Sequence, residues 1–196
     1  WNRSPATTGG NKQSVQRHVR PCRGSHDSRS FQFPREKSRE IGRAGSGQVA
    51  ISLADLTAPK RPYRLPTEAE REYACRAGAK TAFSFGNDGA DLAGFAWYDA
   101  NSGLKTHAVG SKQPNAFGLY DMHGNVWEWC SDWYSGKYYA SSPSTDPQGP
   151  ESGTVRVLRG GSWDSELGFL RCASRLGCAP DDTSAVVGFR VVLDVL

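Results

Sequence analysis

Between Gly118 and Asp132 the chain reads GLYDMHGNVWEWCSD, setting Tyr120, Met122, Trp127 and Trp129 among Gly118, Gly124, Asn125 and the acids Asp121, Glu128 and Asp132, with Trp133 next in line. Few folds accept so many aromatic residues and turn formers so close together. Val126 to Trp129 run apolar, aromatic, acid, aromatic, which does not fit a 3.6-residue period, and Gly124 and Asn125 favour positive φ. The segment predicts a turn feeding an extended strand. A buried indole removes on the order of 200 Å² from water and needs a partner for its N–H. Closely spaced tryptophans therefore imply a defined interior, and packing is the ordinary role for Trp127 and Trp129.

At 196 residues the chain has the length of one domain with room for an appendage. With 37% hydrophobic residues it can build a core, while 22 Gly and 11 Pro make that core loop-rich. Without a stretch of about 18 apolar residues, no membrane span is expected. No basic start followed by an apolar run opens the chain, so a secretory leader is absent or lies upstream. The five cysteines, Cys22, Cys75, Cys130, Cys172 and Cys178, include no Cys-x-x-Cys pair, which argues against a disulfide scaffold or a zinc motif.

Charge divides the chain unevenly. Residues 1–61 carry twelve Lys and Arg against four acids, and the remainder carries twelve against sixteen. Residues 1–50 lack apolar periodicity and are rich in Ser, Gly, Arg and Gln, a composition that cannot bury enough surface to fold alone. They are read as a basic, poorly ordered or atypical N-terminal segment, with residues 51–196 as the domain. The segment is compatible with a linker, or with an unrepresentative start standing where the first strands and helix of the domain belong. Nucleic-acid binding is disfavoured, because no aromatic interleaving or recognition helix accompanies the charge.

Thr67 and Glu70 form a capping box, predicting a helix over Glu68–Ala77 with Gly78 as its stop. Ala69, Tyr73, Ala74 and Ala77 are expected to face inward, and Glu68, Glu70 and Glu72 to be solvated acids near the positive helix start. Short strands are expected at Phe83–Phe85, Phe95–Tyr98, Thr106–Val109 and Pro114–Tyr120, with turns at Gly86–Gly89 and Asn101–Gly103.

The order RLPTEAEREYACRAG at 64–78, VGSKQPNAFGLYDMHGNVWEWCSDW at 109–133, RVLRGGSW at 156–163, LRCASR at 170–175 and GFRVV at 188–192 resembles the formylglycine-generating, or sulfatase-modifying factor, family over about residues 60–193. The resemblance implies an α+β, C-type-lectin-like fold of the formylglycine-generating enzyme type, with a small twisted antiparallel sheet, few helices and much loop. It also implies calcium held by oxygen ligands near Asn125 and Glu128, with Asp121 as a further candidate.

Enzymes of this family convert a sulfatase cysteine to formylglycine with copper held by two cysteines just after the motif matched by Gly160, Gly161, Ser162 and Trp163. A soft monovalent copper ion needs thiolates. Ser165 stands where the first cysteine belongs, and residues 166–170 contain no second. Copper and formylglycine chemistry are thus not expected, and no catalytic residue is assigned. Cys172 is read as part of a core strand and Cys178 as a loop residue, and neither restores the pair. The related iron-dependent sulfoxide synthases take histidines largely from another domain. His18, His26, His107 and His123 show no ligand spacing and are read as surface or satisfied histidines.

The segments between RGGSW, LRCASR, Pro180-Asp181 and GFRVV have no period of 2 or 3.6. They contain Asp164, Ser165, Leu167, Gly168 and Phe169, then Ser174, Leu176, Gly177, Cys178 and Ala179, then Asp182, Thr183, Ser184, Ala185 and Val186. This looks like the variable region of diversity-generating retroelement target proteins, where adenine randomisation yields a limited residue set that includes all fifteen but excludes Glu166. With Trp163, they form the candidate ligand-binding face for an unknown protein or other macromolecule, on the logic of variable loops held by a rigid scaffold. The ordinary alternative is a solvated loop released from catalytic constraint. The second functional reading is a formylglycine-generating oxidoreductase, or related metal-dependent enzyme, with an altered site.

Overall fold

The computed structural model describes residues 63–193. The N-terminal segment 1–50 and the first residues assigned to the domain lie outside the described residues.

The chain enters through β1 (Tyr63–Arg64), which pairs antiparallel with β8 (Val192–Leu193), bringing the two ends of the described chain together. Helix α1 (Glu68–Arg76) follows. Its capping box is complete: the Glu70 N–H donates to Thr67 Oγ1 at 3.2 Å and the Thr67 N–H donates to Glu70 Oε2 at 2.7 Å, satisfying donors the helix cannot reach itself. The helix ends one residue before the expected position. Ala77 takes the left-handed cap at φ 47°, and Gly78 follows at φ 91°.

Beyond α1 the chain is mostly irregular. A one-turn helix at Gly89–Asp91 leads into α2 (Leu92–Phe95) and β2 (Ala96–Trp97), which pairs in parallel with β3 (His123–Gly124). Of the expected short strands, Phe83–Phe85 is a single bridge from Phe83 to Gly86 around a tight turn, and the strand expected at Phe95–Tyr98 reduces to β2. Thr106–Val109 and Pro114–Tyr120 form no strand. The reason for the second is Asn115: its Oδ1 accepts from the N–H of Phe117 and of Leu119, and its Nδ2 donates to the carbonyls of Ala74 and Cys75. One side chain thereby takes over backbone partners that a ladder would have used.

The main sheet has four strands in the order β6-β5-β4-β7, with β4 (Trp127–Trp133), β5 (Arg156–Arg159) and β6 (Arg175–Cys178) antiparallel and β7 (Val187–Gly188) parallel to β4. Cys172 lies in the turn before β6 and Cys178 inside β6, the reverse of the expected placement. The turn into β4 is as expected, with Gly124 at φ 76° and Asn125 at φ 65°. Gly124 has a second reason to be glycine, because a Cβ there would stand 2.2 Å from the Trp97 carbonyl oxygen.

The two faces of this sheet differ. Strand alternation places Trp127 and Trp129 on one side, where they pack with Leu65, Leu158 and Cys178. Glu128 and Asp132 on β4, Arg159 on β5 and Arg175 on β6 bond to α1 on the other side. Helix α1 meets them with Glu68, Arg71, Glu72 and Cys75, one face at i, i+3, i+4 and i+7. Ala69 and Ala74 are only half-buried, and Tyr73 is 68% exposed. Ala77 is buried as expected and Ala74 packs beside Cys75 and Met122, but Tyr73 faces solvent and the main contact surface beneath the helix is charged.

That layer is densely bonded, with Asp132 Oδ1 and Arg159 Nε the buried atoms left without a hydrogen bond among the described residues. Arg71 Nε donates to Glu128 at 2.5 Å, and Arg190 binds the same carboxylate through Nε at 2.7 Å and Nη2 at 2.6 Å. Glu68, expected to be solvated, is 2% exposed and lies between Arg175 and Arg159. Glu72 joins Arg159 to Arg76. Asp132 accepts the Glu68 N–H at 2.7 Å. Each of the motifs at 64–78, 109–133, 156–163, 170–175 and 188–192 thus supplies an acid or an arginine to these ion pairs beneath the sheet.

Candidate functional site

After β5 the chain turns through Gly160 and Gly161. Gly161 has φ 80°, and a Cβ there would stand 2.6 Å from Leu170. The turn closes on three side chains. Ser162 Oγ donates to Asp164 Oδ1 at 2.5 Å and lies 2.9 Å from Ser165 Oγ, while the Ser162 N–H donates to Ser165 Oγ at 3.0 Å. Ser165 is buried and its oxygen is engaged in this knot. Five residues on, Leu170 is fully buried against Phe83, Leu92 and Ala96. A buried hydroxyl and a buried isobutyl group therefore occupy the segment where a copper-binding thiolate pair is implied. This donor set does not fit a soft copper ion.

The residues assigned to the binding face separate into groups. Asp164, Leu167, Gly168, Phe169, Asp182 and Thr183 are exposed. Trp163, Ser184, Ala185 and Val186 are half-buried and gather at the β4–β7 edge. Trp163 Nε1 donates to the Ala185 carbonyl at 3.3 Å, the Trp127 N–H donates to the Val186 carbonyl at 2.8 Å, and Phe169 meets Trp127 edge-on with ring centres 6.5 Å apart. Ser174 Oγ braces the one-turn helix at Leu167–Leu170 by donating to the Gly168 carbonyl. Leu176 packs against the tryptophan cluster from the far strand, β6, and Ala179 is half-buried just beyond that strand. Gly177 and Cys178 are buried in β6, and Cys178 is disulfide-bonded. Together with Ser165, these two belong to the frame.

Asn125 and Glu128, the residues named for calcium, both carry protein hydrogen bonds. The Asn125 side chain is occupied by both backbone groups of His107, at 3.1 and 3.2 Å. Glu128 is enclosed by Arg71 and Arg190, which hold it below the usual carboxylate range although burial acts in the opposite direction. Its oxygens face guanidinium groups. Asp121 accepts the Gly110 N–H at 2.7 Å, and burial raises its pKa. Burial also pushes Asp132 up to about 6, with the Glu68 N–H only partly offsetting it.

One constellation has no counterpart in sequence spacing. Cys75 on α1, His123 on β3 and Cys172 before β6 come together in the interior, each 2–4% exposed. His123 is a buried, satisfied histidine, with Nδ1 on the Leu170 carbonyl and Nε2 beside Ser84, and it lies next to two cysteines. Contact with Cys172, aided by His123 and Arg71, holds Cys75 well below the usual thiol range against burial. Some 48 residues separate each member from the next, so only tertiary structure assembles them.

Short helices, curled small sheets and long ordered loops define a C-type-lectin-like α+β domain. The chain belongs to the sulfatase-modifying factor enzyme 1-like domain family, whose model matches residues 7–195. The formylglycine-generating enzyme of Streptomyces coelicolor is 43% identical over 175 residues, covering 81% of this chain and 56% of that protein. Among solved structures, Treponema denticola variable protein 1 superposes with a TM-score of 0.60 at 42% identity, over 66% of this chain and 46% of that one. PvdO from Pseudomonas aeruginosa gives a TM-score of 0.61 at 38% identity, over 68% and 53%. The chain spans about half the length of these relatives. No helix among the described residues is long and apolar enough to cross a membrane.

Proposed function

We propose that this domain is a non-catalytic ligand-binding module of the family, recognising a protein or other macromolecule through its C-terminal loops. The observation that carries the reading is the Ser162–Asp164–Ser165 knot with Leu170 beside it, which puts hydroxyl and hydrocarbon where the enzymes hold thiolates. The exposed residues Asp164, Leu167, Gly168, Phe169, Asp182 and Thr183, with half-buried Trp163 and Ala185, supply the face. A buried charged layer beneath the sheet gives these loops a rigid base, the arrangement in which surface residues can change identity without loss of fold. The structural likeness to a variable protein supports diversification of this face.

The competing reading, a formylglycine-generating oxidoreductase with altered metal chemistry, draws on the identity to the Streptomyces enzyme. Incubating the purified chain with Cu(I), oxygen and a cysteine-containing sulfatase-motif peptide separates the two, with aldehyde formation read by mass spectrometry. No aldehyde above a protein-free control is expected, and copper-dependent turnover would overturn the binding-module reading. Sequencing the locus across isolates tests diversification. Substitutions should concentrate at the codons of the exposed positions and at adenines, whereas uniform sequence over 164–186 refutes it.

A further inference from the structure

The Cys75–His123–Cys172 cluster plays no part in the proposed binding face, and it adjoins, through the Leu170 carbonyl and Cys172, the end of the segment where the family's copper pair belongs. The Cys75 and Cys172 sulfurs are 3.6 Å apart, and Cys75 Sγ stands 3.8 Å from His123 Nε2 and 3.9 Å from Nδ1. All three donors fall within 4.8 Å of one another. Thiolates about 2.3 Å and imidazole nitrogens about 2.0 Å from a tetrahedral ion stand about 3.5–3.8 Å from each other. The Cys75–Cys172 separation already matches that shell, while Cys75 Sγ, nearly equidistant from both ring nitrogens, stands beside the imidazole face, so closing the shell takes a swing of the thiol toward Nε2.

The histidine is also prepared for such a role. Its Nδ1 lies 2.7 Å from the Leu170 carbonyl oxygen. A carbonyl only accepts, so Nδ1 carries the proton and Nε2 keeps its lone pair, the tautomer that a backbone carbonyl imposes on metal-bound histidines. At present Nε2 accepts from the Ser84 N–H at 3.3 Å and lies 3.0 Å from Ser84 Oγ. An ion at Nε2 takes the place of those bonds and leaves the Ser84 hydroxyl as the nearest oxygen. Phe83 and Phe85 stack edge-on against the imidazole and exclude water from this side. Arg71 reaches the same place, donating to the Met122 carbonyl that Cys75 also contacts, and offsets thiolate charge.

We propose that Cys75, Cys172 and His123 form a buried binding site for a thiophilic d10 metal ion, Zn(II) or Cu(I). Binding displaces the thiol protons to solvent and ties α1, β3 and the turn before β6 to one centre. The site rests on neither functional reading, and a domain of either kind can contain it.

The reduced full chain is titrated with Co(II) as a spectroscopic probe, then with Zn(II), and separately with Cu(I) under exclusion of oxygen. A thiolate-to-cobalt charge-transfer band saturating at one equivalent and displaced by Zn(II) is expected. Cys75→Ser, Cys172→Ser and His123→Asn should each weaken binding by about tenfold or more. Because these substitutions alter the interior, a second measurement uses the unsubstituted chain. Thiol alkylation just below the unfolding midpoint should slow at Cys75 and Cys172 when Zn(II) or Cu(I) is present, with Cys130, buried in β4, as the internal reference. Absence of the charge-transfer band, equal slowing at Cys130, or a Cys75–Cys172 disulfide that survives reduction would overturn the assignment.

Discussion

Arg71 Nε stands 2.5 Å from the Glu128 carboxylate with both side chains buried, and Arg190 approaches that carboxylate from the C-terminal end of the chain. One acid on β4 thereby joins α1 to the GFR segment. Removing one partner of such a pair is costly because the other charges stay buried without compensation.

Glu128→Gln should therefore destabilise the domain by about 3–5 kcal/mol. Glu70→Gln, which breaks the half-exposed pair with Arg64, should cost no more than about 1 kcal/mol. Urea unfolding of both variants checks the contrast, and equal effects would show that the buried network is not the stronger element.

Asp132 has a folded-state pKa of about 6 against an ordinary value of 3.8. The folded state then binds more protons than the unfolded state between those values, so this group lowers stability as pH rises from about 4 to about 6. Asp132→Asn removes that dependence. Relative to the parent, the variant should gain on the order of 2–3 kcal/mol between pH 4 and pH 7, read as the difference in unfolding free energy at the two pH values. A constant difference would mean that the carboxyl titrates normally.

Gly124→Ala forces a Cβ into the Trp97 carbonyl at a backbone angle that L-residues rarely adopt. A loss on the order of 3 kcal/mol is expected, with loss of slow-exchanging amides at Gly124 and Asn125, whose N–H groups donate to Gly160 and Trp97. Unchanged protection there would show that the turn relaxes without consequence.

Frame and face should respond differently to truncation. Leu170→Ala should cost about 2–5 kcal/mol, whereas Leu167→Ala and Thr183→Ala, at exposed positions, should stay within about 0.5 kcal/mol. Thermal unfolding of the three variants measures this, and a large effect at Thr183 would assign that position to the frame.

Local chemistry was legible along the chain. Thr67 and Glu70 announced the helix start because capping uses atoms three residues apart, and Gly124-Asn125 announced the turn because few residues tolerate positive φ. Trp127 and Trp129 were legible as core through strand alternation. The inward face of α1 was less so: Glu68, Arg71, Glu72 and Cys75 have helical spacing, but charged residues are read as exposed unless their partners are known, and those partners lie on β4, β5 and β6. The strand expected over 114–120 failed because the Asn115 side chain captured the backbone groups of Phe117 and Leu119.

Sequence alone established the family and the α+β loop-rich architecture, since each depends on residue identity in order along the chain. Tertiary structure decided which acids are buried, that Ser165 and Cys178 belong to the frame while Leu167 and Phe169 face solvent, and that two cysteines and a histidine meet. The buried acids and the cysteine–histidine cluster arise from contacts between segments distant along the chain, and no local pattern encodes them.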